Sequence, residues 1–150
     1  MKYYLDTNIW VSAFTPKHSK NKASKQLLKN CSKQNIEIVT SGHCLAEVYS
    51  VLTKLPTGLR LSPHMTFNLI EYDMINKCQI IDLTYQEYAE TIKDAANKNL
   101  ISGAIFDGLH VKAALKAEVD RIYTYNLKDF ERFDIPASII LCTPEYTSLG

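Results

Sequence analysis

Five short apolar runs recur along the chain: YYL at 3–5, IEIV at 36–39, QIIDL at 79–83, RIYT at 121–124 and SIILC at 138–142. Their length and their β-branched and aromatic content predict strands. The segments between them follow a helical period instead. Ala23, Leu27, Leu28 and Cys31 fall on one face over 20–34, and Leu45, Val48, Val51 and Leu52 do so over GHCLAEVYSVLTKL at 42–55, with Ser41 placed to cap that helix and Pro56 to limit it. SPHMTFNLIEYDMINK opens on Ser62 as N-cap with Pro63 at the first helical position. TYQEYAETIKDAANK opens on a capping box of Thr84 and Glu87, and SGAIFDGLHVKAALKAE supplies a last long helix before a short one at 127–132.

Strands separated by helices need crossover connections, so the pattern predicts an α/β fold of three α/β/α layers around a mostly parallel sheet of about five strands. No repeat, low-complexity tract or linker interrupts it, and residues 1–150 read as a single domain.

In such sheets ligands gather at the carboxyl ends of the strands, which makes the polar residues delivered there the informative ones. Asp6 follows the first run directly. Glu47 lies in the second turn of the helix leaving the second run, and Asp107 lies early in the helix that leads down into RIYT. Thr124, Asn126 and Asp129 emerge from the end of that same run in TYNLKDF. Each has a bland role available: Asp6 in an Asx-type turn, Glu47 on a helix flank, Asp107 beside a helix dipole, and Asn126 or Asp129 as caps. Those roles leave unexplained why all of them fall at one end of one sheet. Carboxylates crowded together repel, and a divalent cation relieves the repulsion. With no Cys or His at ligand spacing, the oxygen donors favour Mg²⁺ or Mn²⁺ over zinc, a site suited to phosphodiester hydrolysis.

Composition adds two observations. The net charge is only +1, yet no acid occurs between Asp6 and Glu37 while Lys17, Lys20, Lys22, Lys25, Lys29 and Lys33 all do, a basic segment beside the first acid. Cys31, Cys44, Cys78 and Cys142 are scattered without a C-x-x-C pair, so they indicate neither a zinc motif nor a redox motif. No run approaches the length of a membrane span or resembles a signal peptide, and the cytoplasm is the expected compartment.

YYLDTNIWV, TSGHCLAEVYSVL, ISGAIFDGLHVKAAL and RIYTYNLKDF, in that order, resemble the PIN domain family, in particular the VapC-type ribonuclease toxins of prokaryotic toxin–antitoxin pairs. The resemblance covers nearly the whole chain. It implies a metal-dependent endoribonuclease in which Asp6, Glu47 and Asp107 match the metal-binding acids, Asp6 and Asp107 foremost. Asn126 stands where the family often has a fourth acid, and Asp129 is one turn away. The resemblance also gives Thr7 and Thr124 the role of orienting carboxylates, and places Asn8 beside the site. RNA contact is expected from Lys17, Lys20, Lys22 and Lys25, a cognate antitoxin is the expected protein partner and a homodimer is expected, with LPTGLRLSPHMTFNLI available for either the dimer or the antitoxin contact. The alternatives are a PIN-like RNA-binding or scaffold module with weakened catalysis, suggested by Asn126, and a housekeeping RNA-processing nuclease. A haloacid-dehalogenase-like phosphatase would need an acid at position 8, where Asn8 stands.

Overall fold

Side-chain alternation along the first strand, β1 (Lys2–Leu5), divides the interior in two: Tyr3 and Leu5 enter one core and Tyr4 the other. The computed structural model describes residues 1–145. The other strands are β2 (Glu37–Ser41), β3 (Gln79–Ile81), β4 (Arg121–Tyr123) and β5 (Ile140–Cys142). All pair in parallel, in the order β3-β2-β1-β4-β5, with Tyr4 opposite both Val39 and Ile122. Putting β1 in the middle makes its carboxyl end the point where the two halves of the sheet diverge.

The helices are α1 (Thr7–Phe14), α2 (Asn21–Lys33), α3 (Gly42–Lys54), α4 (Pro63–Leu69), which continues as a π-helical segment over Ile70–Ile75, α5 (Tyr85–Asn97), α6 (Ala104–Lys116) and α7 (Leu127–Phe130). On one face of the sheet Ile9, Trp10, Leu27, Val48, Leu52 and Met74 pack against Tyr3, Leu5 and Tyr123. On the other, Val111, Ala113, Ala114, Phe130 and Phe133 pack against Tyr4, Val39 and Ile122. These are the three layers that the sequence pattern predicts. Ser41, Ser62 and Thr84 cap their helices through their side chains, and the Thr84–Glu87 capping box is complete.

One element differs from the sequence reading. Residues 7–14 form α1, which the hydrophobic pattern does not reveal. Thr7, Ile9, Trp10, Val11, Ser12 and Ala13 are all buried, so the helix lacks the polar face that makes helical periodicity visible. Its buried hydroxyl is satisfied locally, Ser12 Oγ donating to the Asn8 carbonyl at 2.8 Å. Asp6 is therefore the N-cap of a helix rather than the corner of an isolated turn.

Candidate active site

Asp6 extends the ladder by one bond, its backbone N–H donating to the Tyr123 carbonyl at 3.0 Å, and its side chain is buried at the carboxyl end of β1. Both carboxylate oxygens are held. Oδ1 accepts from the Thr7 backbone N–H at 2.7 Å as a helix cap, and Oδ2 accepts from the Thr124 hydroxyl at 2.8 Å. Burial pushes the Asp6 carboxyl above its ordinary range, although the charge of His110 and the bonds from Thr124 and Thr7 oppose the rise.

Glu47 reaches the same place from α3, where it shares a face with His43 one turn earlier. Its Oε1 lies 2.6 Å from His43 Nε2 and 2.9 Å from His110 Nε2. Burial alone would raise its pKa, but the hydrogen bonds and charges of His110 and His43 together outweigh burial and hold the carboxyl at about 2.

His110 is the hub. It projects from α6 and is almost completely buried, with Nε2 3.2 Å from Thr7 Oγ1 and 3.4 Å from Asp6 Oδ1. Its Nδ1 lies 2.6 Å from the Tyr4 hydroxyl, which is in turn 3.0 Å from Ser41 Oγ. Burial opposes the imidazolium. The Glu47 hydrogen bond and the charges of Asp6, Glu47 and Asp107 prevail, raising the His110 pKa above its ordinary value.

Asp107, in the first turn of α6, completes the group. Burial first, then the charges of Asp6 and Asp129, push its carboxyl from 3.8 up to about 6, against the pull of His110 and Arg132. Arg132 Nη2 lies 3.3 Å from Asp107 Oδ2 and 3.7 Å from Asp129 Oδ1, so both acids share one guanidinium.

The remaining sequence candidates fall into place unevenly. Asn126 is exposed at the N-cap of α7 without a side-chain cap, and its backbone N–H donates to Thr124 Oγ1 at 3.0 Å. Asp129, rather than Asn126, is the group whose charge acts on Asp107. Asn8 Oδ1 accepts from the Tyr125 backbone N–H at 3.4 Å and so fastens the loop after β4. The Thr7 hydroxyl faces His110 and Cys44 Sγ, and it is the Thr7 backbone N–H that holds Asp6. Lys17, Lys20, Lys22 and Lys25 are exposed, with Lys20 Nζ 5.6 Å from the ring centre of Tyr125. Ser24 Oγ, 2.7 Å from the Tyr125 hydroxyl, anchors this basic segment to the same loop. A recess of about 700 Å³, lined by Met1, Leu28, Glu37 and Lys77, opens at the amino ends of β1 and β2, away from the acids.

Contrary to the expectation of no histidine at ligand spacing, two imidazoles flank Glu47. His43–Glu47 is a four-residue helical spacing, a signal present in the sequence; His110 comes from a distant helix and had none. Arg132 was also missed, because only the turn after α7 brings it back to Asp107. The donors fit a divalent cation in kind, since Asp6 and Asp107 are carboxylates whose charged forms are disfavoured by burial, Asp107 further by the charge of Asp6.

A sequence model described as the PIN domain matches residues 3–136. Ribonuclease VapC27 of Mycobacterium tuberculosis is 33% identical over 78 residues, 52% of this chain and 55% of that protein, so the match spans about half of that relative's length. Among solved structures, VapBC2 from Rickettsia felis bound to a DNA fragment from their promoter is similar with TM-score 0.67 and 26% identity, covering 97% of this chain and 100% of that one. Mycobacterium tuberculosis VapC20, a sarcin-ricin loop cleaving toxin, shares the fold with TM-score 0.71 and 11% identity over 89% of this chain and 96% of that one. VapBC-1 from nontypeable Haemophilus influenzae does so with TM-score 0.64 and 19% identity over 94% and 96%.

Proposed function

Since the chain belongs to the PIN domain family, we propose that it is a metal-dependent endoribonuclease and the toxin of a type II toxin–antitoxin pair. The observation that carries this reading is the gathering of Asp6 and Asp107, acids distant in sequence, at one end of the sheet, where burial first and then the charge of Asp6 push the Asp107 carboxyl up to about 6.

Asp6 and Asp107 are the proposed ligands of Mg²⁺ or Mn²⁺, with Glu47, Asn126 and Asp129 reaching it directly or through water. Such an ion would stabilise charge on a phosphate and acidify a water beside it. The chain's own residues supply positioning. Thr124 and the Thr7 N–H fix the two Asp6 oxygens, and His110 fixes Glu47. Arg132 offers a guanidinium to the phosphate that approaches Asp107 and Asp129.

RNA is the proposed substrate, from the ribonuclease named above, and its backbone would lie along Lys17, Lys20, Lys22 and Lys25. Protein partners, a second copy of the chain and an antitoxin, are assigned to the exposed apolar face of Met65, Phe67, Tyr72 and Ile75 on α4 and its π-helical continuation. The VapBC complexes among the structural relatives support the antitoxin. No helix among the described residues is long and apolar enough to cross a membrane. The reading of a catalytically silent scaffold rested on Asn126, and it loses ground because Asp129 brings an acid to that corner.

The test is cleavage of total RNA by the purified chain with Mg²⁺ or Mn²⁺. Cleavage should stop with chelator and in Asp6→Asn, while the variant keeps a cooperative unfolding transition. Cutting that survives in Asp6→Asn, or in excess chelator, would refute the assignment.

A further inference from the structure

The imidazoles beside Glu47 are not accounted for by a site made of oxygen ligands. His43 Nε2, Glu47 Oε1 and His110 Nε2 lie within 4.8 Å of one another. His43 Nε2 is buried and, apart from Glu47 Oε1 at 2.6 Å, has no polar partner among the described residues, so the two groups face one another with nothing else engaging the ring nitrogen. His110 has its other nitrogen occupied by the Tyr4 hydroxyl, and Tyr4 is itself backed by Ser41 Oγ, which accepts from the Cys44 N–H at 3.1 Å. That chain of bonds turns Nε2 toward Glu47, the outer-sphere arrangement typical of a metal-ligating histidine. Aromatic neighbours hold both rings: His43 stacks on Phe106 at 5.1 Å and His110 on Phe130 at 6.2 Å.

We propose that His43, Glu47 and His110 form a nitrogen-rich site for a borderline transition cation of the Zn²⁺ class, separate from the carboxylate pair Asp6 and Asp107. Two imidazoles and one carboxylate suit Zn²⁺, Co²⁺ or Ni²⁺ better than Mg²⁺, which prefers oxygen alone. Bonds of about 2.0–2.1 Å require ligand atoms roughly 3.3 Å apart, so the present contacts of 2.6 and 2.9 Å to Glu47 must open by about half an ångström. The His43 side chain is partly exposed on the first turn of α3 and can make that adjustment. An ion there would engage Glu47 and withdraw it from the Asp6 side, so Zn²⁺ should oppose Mg²⁺-supported chemistry. The site does not depend on the nuclease reading, with which it shares Glu47 and the His110 that positions it.

The experiment is titration of Co²⁺ alone into the full chain under reducing conditions, followed by visible absorption, then displacement by Zn²⁺ measured calorimetrically. Intense d–d bands of a four- or five-coordinate ion are expected. His43→Ala should weaken binding by about tenfold or more, and Asp107→Asn should leave it within about twofold. His43→Gln, which keeps the helix and the stacking area, guards against loss of fold. Weak six-coordinate absorption indifferent to either His43 variant would overturn the site, as would a sulfur-to-cobalt charge-transfer band placing the ion on a thiol. Because the readout is binding, an RNA-cleaving protein with no such bands refutes this site alone, and a protein with the bands but no cleavage refutes the nuclease reading alone.

Discussion

The Thr124 hydroxyl donates to Asp6 Oδ2 at 2.8 Å while accepting the Asn126 N–H at 3.0 Å, so one side chain joins the ends of β1 and β4 to the start of α7. Removing it frees one oxygen of the first acid and orphans a backbone donor. Thr124→Val should lower single-turnover RNA cleavage by about 10- to 100-fold. It should also lower the unfolding free energy by about 1–2 kcal/mol in urea titration. Thr124→Ser keeps the hydroxyl and should recover most of both losses.

Asp107 sets a conflict between stability and its proposed role as a metal ligand. Its folded pKa of about 6 exceeds the ordinary 3.8, so between those values the native state holds more protons than the unfolded one and stability falls as pH rises. His110, raised above 6.5, acts in the same direction, its contribution present below that pH and lost above its folded pKa. Glu47 acts oppositely, since its pKa of about 2 against 4.5 gives stability that is present above 4.5 and lost as pH falls toward 2. In metal-free buffer at pH 7, Asp107→Asn should therefore unfold at higher urea, by an amount on the order of 1–2 kcal/mol, while abolishing cleavage. Equal or lower stability would mean that the repulsion is relieved by some other group.

Gly108 lies under Phe133. A Cβ built there would stand 2.8 Å from Phe133 Cε1 and 3.0 Å from Thr91 Cγ2, both on buried side chains. Gly108→Ala should cost about 1–3 kcal/mol by thermal denaturation. It should reduce cleavage as well, because α6 carries both Asp107 and His110 and must shift to make room.

The basic segment makes a salt-dependent prediction. If Lys17, Lys20, Lys22 and Lys25 each meet a phosphate, replacing all four with alanine should flatten the slope of log affinity against log salt by roughly 3 for single-stranded RNA. Binding should be measured with the Asp6→Asn protein so that the probe stays intact. An unchanged slope would move the RNA path elsewhere.

The strands and long helices were legible because period and caps agree along them, as at Ser62–Pro63 and Thr84–Glu87. Asp6, Glu47 and Asp107 were legible because topology alone sends strand exits and helix starts to one edge. What stayed hidden depends on three-dimensional burial. α1 has no polar face to betray its period, and His110, between Leu109 and Val111, is indistinguishable in sequence from a packed core histidine. Asn126 drew attention by its alignment, yet its side chain is exposed while Asp129 faces the acids across Arg132.

The central place of β1 also bears on how the molecule is made. A chain released from the ribosome after α5 already carries Asp6 and Glu47. It lacks Asp107, His110 and the β4 strand against which Asp6 is fastened. Interrupted translation at that point thus leaves fragments in which the acids are never gathered, so the proposed nuclease would stay harmless until α6 and β4 have been made.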